Sequence, residues 1–138
     1  MKYIFVLLMM GLSLFADTLG WSNNYQETLQ KAQEQNKNVY MLITSQDCRW
    51  CRKFEATTLQ KEAVQARLYN DYVVVHIDRD LHPLPSKFKV APIPRHYIVK
   101  ADGTIIDTFI GYWEQADFFS YLDDAQRRLE KILKLEEK

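Results

Sequence analysis

The chain has 138 residues, of which 47% are hydrophobic and 13% aromatic. That suffices for one packed domain, is too short for two ordinary ones, and is too apolar for a disordered chain. Its 18 Lys and Arg balance its 18 Asp and Glu, so no basic surplus is present to neutralise a phosphate backbone, which argues against nucleic acid as a main partner.

Residues 1–16 read as a secretory signal peptide. Lys2 supplies the positive start, Tyr3 to Phe15 is apolar apart from Gly11 and Ser13, and Ala16 is small enough for a cleavage site, although Leu14 fits its position less well. The run is short for a membrane span; an uncleaved N-terminal anchor is the alternative. The expectation is export to the periplasm, with residues 17–138 as one domain.

Asp17 to Asn24 forms a lead-in, with Trp21 available to anchor it. Tyr25 to Asn36 carries Tyr25, Leu29 and Ala32 at helical spacing. Val39 to Thr44 is a buried strand, Ser45-Gln46-Asp47 a turn, and Asp47 is placed to cap the helix from Cys48 to Ala56. Thr57 and Thr58 interrupt the helical pattern, and a second piece runs from Lys61 to Tyr69 with Val64 and Leu68 on one face. Tyr72 to Asp78 is a strand. Pro83 and Pro85 make residues 80–88 a loop or broken turn, and Pro92 and Pro94 keep 90–94 extended. Arg95 to Lys100 and Thr104 to Ile110 read as a hairpin around Asp102-Gly103, stopped by Gly111. Glu114 to Glu136 is a closing helix with Phe118, Leu122, Ala125, Leu129, Ile132 and Leu133 on one stripe. A strand-helix-strand start implies a parallel crossover, and the hairpin adds antiparallel strands. The fold class is therefore α/β: a central mixed sheet of four to five strands with helices on both faces.

The chemistry concentrates at Cys48-Arg49-Trp50-Cys51, which holds the chain's 2 cysteines. The start of a helix favours an anion, and the thiolate is the reactive form of cysteine. A disulfide across so short a loop removes little unfolded-state entropy, so a structural staple explains the pair poorly and a redox-active dithiol explains it better. Cys48, nearest the helix start, is the expected nucleophile, and Cys51, a turn further in, the resolving thiol. Arg49, Arg52 and Arg95 favour the Cys48 thiolate while Asp47 opposes it. Trp50 is either an apolar platform for substrate or a side chain packed on its helix. Arg95 either guides acidic substrates or is a solvated strand-edge arginine. Glu55 either relays the Cys51 proton or pairs with a surface lysine. A zinc site usually needs four ligands; the two cysteines would need help from His76, His82 or His96. His76 reads as a packed or edge residue and His82 as solvated, so no metal is expected. Haem attachment needs histidine where Arg52 stands.

Together these residues resemble the thioredoxin superfamily, in the family's order. Cys48-Arg49-Trp50-Cys51 lies between strand and helix, Ile93-Pro94 stands at the start of the third strand, and the Asp102-Gly103 hairpin is followed by Gly111 and a terminal amphipathic helix. Within the superfamily, the segment from Cys48 to Val64 is similar to the C-terminal domain of the transmembrane disulfide reductase family. The resemblance implies a thioredoxin-like fold and a cis Pro94 that exposes the Ile93 main chain beside the sulfurs, so that an extended substrate pairs with it like an added strand. An ordinary trans turn proline is the alternative, and Pro92 lies one step too early. Substrate binding is thereby expected at Trp50, Ile93, Pro94 and Arg95. Three positions depart from the family: Asp47 stands in place of tryptophan, Leu42 in place of a buried acid, and Arg95 in place of threonine after the proline. The implied function is a monomeric periplasmic thiol–disulfide oxidoreductase without a cofactor. It would reduce disulfides of exported proteins and be recharged by a membrane or periplasmic electron donor. Cations around Cys48 would stabilise the reduced form and make the protein more oxidising, so the oxidase or isomerase direction stays open. A non-enzymatic metal-binding or interaction module is the remaining alternative.

Overall fold

The computed structural model describes residues 20–138; the expected signal peptide lies outside the described residues. The apolar runs predicted as strands do form a sheet. Its strands are β1 (Asn38–Thr44), β2 (Tyr72–Asp78), β3 (Arg95–Val99) and β4 (Ile105–Ile110), in the order β2-β1-β3-β4. β1 and β2 run parallel, from Asn38 opposite Tyr72 to Thr44 opposite Asp78. β3 is antiparallel to both β1 and β4. The turn between β3 and β4 needs a positive φ, which Gly103 supplies at +89°. The Asp102 carboxylate accepts from the Thr104 N–H across it at 2.9 Å.

Because side chains alternate along a strand, the sheet has two distinct faces. On one, Val39, Met41, Ile43, Val73, Val75, Ile77, Tyr97 and Val99 pack under helix α1 (Tyr25–Gln35) and Phe88 of the long connection. On the other, Tyr40, Leu42, Val74 and Ile98 pack under α2 (Arg49–Ala56), α3 (Glu62–Asp71) and α4 (Gln115–Glu136). The interruption expected at Thr57 and Thr58 is a single 3-10 turn, Thr58–Gln60. The lead-in covers the free edge of β2: the His76 N–H donates to the Ser22 carbonyl at 2.8 Å, and Trp21 stands edge-on to Tyr40 and His76.

α4 departs from its predicted stripe. Phe118, Leu122 and Ala125 are buried, Leu129 and Ile132 are half-buried, and Leu133 is exposed. The helix is longer than the sheet it covers, so its last turns overhang. Ion pairs hold them instead: Arg128 to Asp107 at 3.2 Å and Lys100 to Glu136 at 3.2 Å. Among the described residues no helix is long and apolar enough to cross a membrane.

Phe118 is fully buried and meets Tyr40, Phe54 and Phe109 with ring centroids 5.6, 5.4 and 6.1 Å away. Phe118→Ala is expected to cost about 3–5 kcal/mol in urea unfolding with an unchanged slope. Leu133→Ala, on the overhang, should change stability by less than about 0.5 kcal/mol.

Candidate active site

β1 delivers the site. It ends at Thr44, and a three-residue turn leads to Cys48, so the dithiol sits at the carboxyl end of a central strand. β3 starts beside that same end, with Arg95 opposite Ile43. The Ile93-Pro94 bend therefore enters the sheet next to the turn that carries the cysteines.

Cys48 and Cys51 form a disulfide with Cα atoms 5.2 Å apart. Cys48 is the N-cap of α2: its backbone is extended, at φ −96° and ψ 99°, and its Sγ accepts the Cys51 N–H at 3.1 Å. This corrects the expectation for Asp47, which stands one residue too early. The disulfide holds the Cys48 sulfur over the first turn, where a cap must reach. Cys48 keeps 9% of its surface exposed and Cys51 keeps 1%, so both are buried and Cys48 is the less covered of the two.

Trp50 is 47% exposed beside the disulfide. The Arg49 guanidinium and the Lys53 ammonium each lie 5.1 Å from the centre of its ring, and Lys53 is also 4.6 Å from that of Tyr112. Tyr112 stands 6.0 Å from Trp50, ring to ring. Trp50 is thus part of an open aromatic and cationic strip and is not packed away.

The peptide bonds Ala91–Pro92 and Ile93–Pro94 are both cis. Pro94 is buried and its carbonyl accepts the Gly111 N–H at 2.8 Å. Ile93 is half-buried against the α1-side core, and among the described residues its main-chain N–H and C=O have no hydrogen-bond partner.

Arg95 requires a correction. Alternation along β3 turns it to the α1 side of the sheet, away from α2. It is buried, its Nε donates to the Tyr97 hydroxyl at 3.1 Å, and its other arm donates to the Ala91 carbonyl at 3.0 Å. It is neither a solvated edge arginine nor a guide for substrate; it pins the bend before β3.

Glu55 meets a histidine and not the surface lysine expected of it. Its Oε1 lies 3.4 Å from His76 Nε2, which also meets the Thr44 hydroxyl at 2.8 Å. Burial lowers the His76 pKa despite the nearby Glu55 and Asp78 carboxylates, so the contact is not a full ion pair. His82, expected to be solvated, is half-buried and its Nδ1 accepts the Asp78 N–H at 2.9 Å. Among the described residues no group of three or more His, Cys, Asp or Glu is placed to hold a metal ion.

The feature that sequence reasoning missed lies beneath α2. His96 is fully buried; its Nδ1 meets the Tyr40 hydroxyl at 2.7 Å and its Nε2 the Gly111 carbonyl at 2.9 Å. A carbonyl only accepts, so Nε2 carries the proton and Nδ1 accepts from Tyr40. Phe109 stacks on the ring at 4.4 Å, and Phe54 meets it edge-on at 5.0 Å. Gly111 is clamped from both sides, its N–H by Pro94 and its C=O by His96, at a φ of +108°. That clamp sets the chain direction that brings Tyr112 to Trp50. Tyr40, opposite Ile98, and His96, opposite Leu42, are diagonal neighbours two positions apart across β1 and β3, so two polar residues inside apolar strands were the available signal.

Residues 25–126 match the family model of a thioredoxin-like domain. Among curated proteins, human spermatogenesis-associated protein 20 is 33% identical over 58 residues, which is 42% of this chain and 7% of the human protein. The chain thus matches under a tenth of that relative's length. Among solved structures, a DsbH oxidoreductase superposes with TM-score 0.64 at 21% identity, covering 79% of this chain and 85% of its own. The C-terminal domain of Neisseria meningitidis DsbD in its oxidised form gives 0.61 at 18% identity, covering 72% and 90%. At these identities the likeness establishes a shared fold.

Burial pushes the His96 imidazole from 6.5 down to about 4, against the opposing pull of the Gly111 carbonyl. The unfolded chain gains this proton near pH 6.5, while the folded chain resists it until about pH 4. Stability from this group is therefore full above the upper value, falls as pH drops through the window, and levels off below the lower one. The full loss is about 3 kcal/mol, read from urea midpoints between pH 7 and 4. His96→Gln should flatten that slope, leaving a smaller one of the same sign from His76.

Proposed function

Since the chain belongs to the thioredoxin-like domain family, with 25–126 matched, we propose that it is a periplasmic thiol–disulfide oxidoreductase that reduces disulfides of exported proteins. The observation that carries this reading is the pair of sulfurs at the mouth of α2, of which Cys48 is the less covered. In the reduced protein, the Cys48 thiolate attacks one sulfur of a substrate disulfide. The Cys48–substrate bond forms, the substrate bond breaks, and the electron pair leaves on the substrate's second sulfur. Cys51 then gives its proton to solvent and attacks Cys48 Sγ. The second substrate thiolate is released as the Cys48–Cys51 disulfide closes. The substrate gains two electrons and the protein loses two, so a membrane or periplasmic dithiol donor must restore it. The main-chain groups of Ile93, free beside the bend at Pro94, suit pairing with an extended substrate segment. Monomeric action and export through residues 1–16 belong to the same proposal.

A second reading has a specific observation behind it. Arg49, Arg52 and Lys53 are exposed around the pair, and cations there favour the reduced thiolate, which would make the protein an oxidant.

Cys51→Ser, expressed with residues 1–16 in place, should accumulate mixed disulfides with exported proteins, visible as reductant-sensitive bands. Cys48→Ser should accumulate none. Absence of trapped protein from both variants would contradict the proposal, and equilibration with glutathione distinguishes reductant from oxidant.

A further inference from the structure

We infer that the preferred substrate is a polypeptide segment carrying acidic side chains close to its disulfide. This rests on the exchange reading above and names the class of substrate for that site.

The whole chain is balanced in charge, with 18 cations and 18 anions, but α2 is not. Arg49, Arg52 and Lys53 are exposed on it, and its one carboxylate, Glu55, is turned aside to His76. Among the described residues none of these three cations makes an ion pair. Arg52 spends one arm on the Gln46 carbonyl at 2.7 Å. Asp47, exposed before Cys48, is the opposing charge and is outnumbered.

The cations are also arranged. Arg49 and Lys53 are held against Trp50, and Lys53 against Tyr112 as well. Aromatic faces fix the cations without neutralising them. Beside the disulfide, whose Cys48 keeps 9% of its surface exposed, this makes a strip that offers apolar contact and unspent positive charge together. A segment with Asp or Glu near its cysteines completes those charges; one with Lys or Arg repels them. Charge complementarity of this kind acts mainly on encounter rate, and it is screened by salt.

The test uses the reduced full-length protein and three disulfide-linked peptides of one sequence, with flanking residues that are acidic, neutral or basic. At low ionic strength the acidic peptide should be reduced roughly tenfold faster than the basic one. In about 1 M salt, where the screening length is about 3 Å, the ratio should collapse towards one. Arg49→Glu combined with Lys53→Glu should reverse the order, and the Gln versions should abolish it. Equal rates for the three peptides at low salt, or faster reduction of the basic one, would overturn the inference while leaving exchange itself intact. Failure to reduce even the neutral peptide would instead overturn the reading on which the inference rests.

Discussion

One sulfur, the Sγ of Cys48, both closes the disulfide and accepts the N–H of Cys51 as the cap of α2. Everything chemical in the molecule is arranged around that atom. It stands at the start of a helix, where unpaired N–H groups favour an anion once the disulfide is opened. The strand behind it, β1, lies between β2 and β3, so the turn that holds it hangs from the middle of the sheet. The aromatic core beneath α2, with Phe54 at its centre, keeps that helix from tilting.

Two further contacts extend this order to the neighbouring loops. Gly111 is bonded by its N–H to Pro94 and by its C=O to His96. The bend at Ile93-Pro94 and the turn carrying Tyr112 are therefore linked to each other and to the buried Tyr40–His96 pair. Where the family resemblance implies an acid under the second cysteine, this chain has Leu42. His96, buried on that side of the sheet, is a neutral histidine bonded at both nitrogens. Such a group holds position; it has no spare lone pair to accept a proton from Cys51.

The fold was legible because its signals are periodic. The apolar runs of β1 and β2 and the first turns of α4 each follow from where hydrophobic side chains must go, and the hairpin of β3 and β4 from its Asp102-Gly103 turn. The cysteine pair was legible for a different reason, since its spacing and its place between strand and helix have few other uses. What was not legible depends on partners distant in sequence. Arg95 could be assigned a face only once its register against Ile43 was known, and that face removed it from the site. Glu55 has Lys53 two positions before it in the chain but meets His76 on β2. Leu133 continues a perfect stripe, yet nothing in its own segment says that the sheet ends before it. His96 was weighed as a metal ligand because its two partners, Tyr40 and Gly111, lie on other strands and turns.

The central claim is that Cys48 attacks and Cys51 waits behind it. The direct measurement is timed alkylation of the fully reduced protein at neutral pH, with the label located by peptide mass spectrometry. The account predicts that Cys48 is labelled first and that Cys51 is protected until unfolding or long exposure. Equal labelling of the two, or labelling of Cys51 before Cys48, would contradict it.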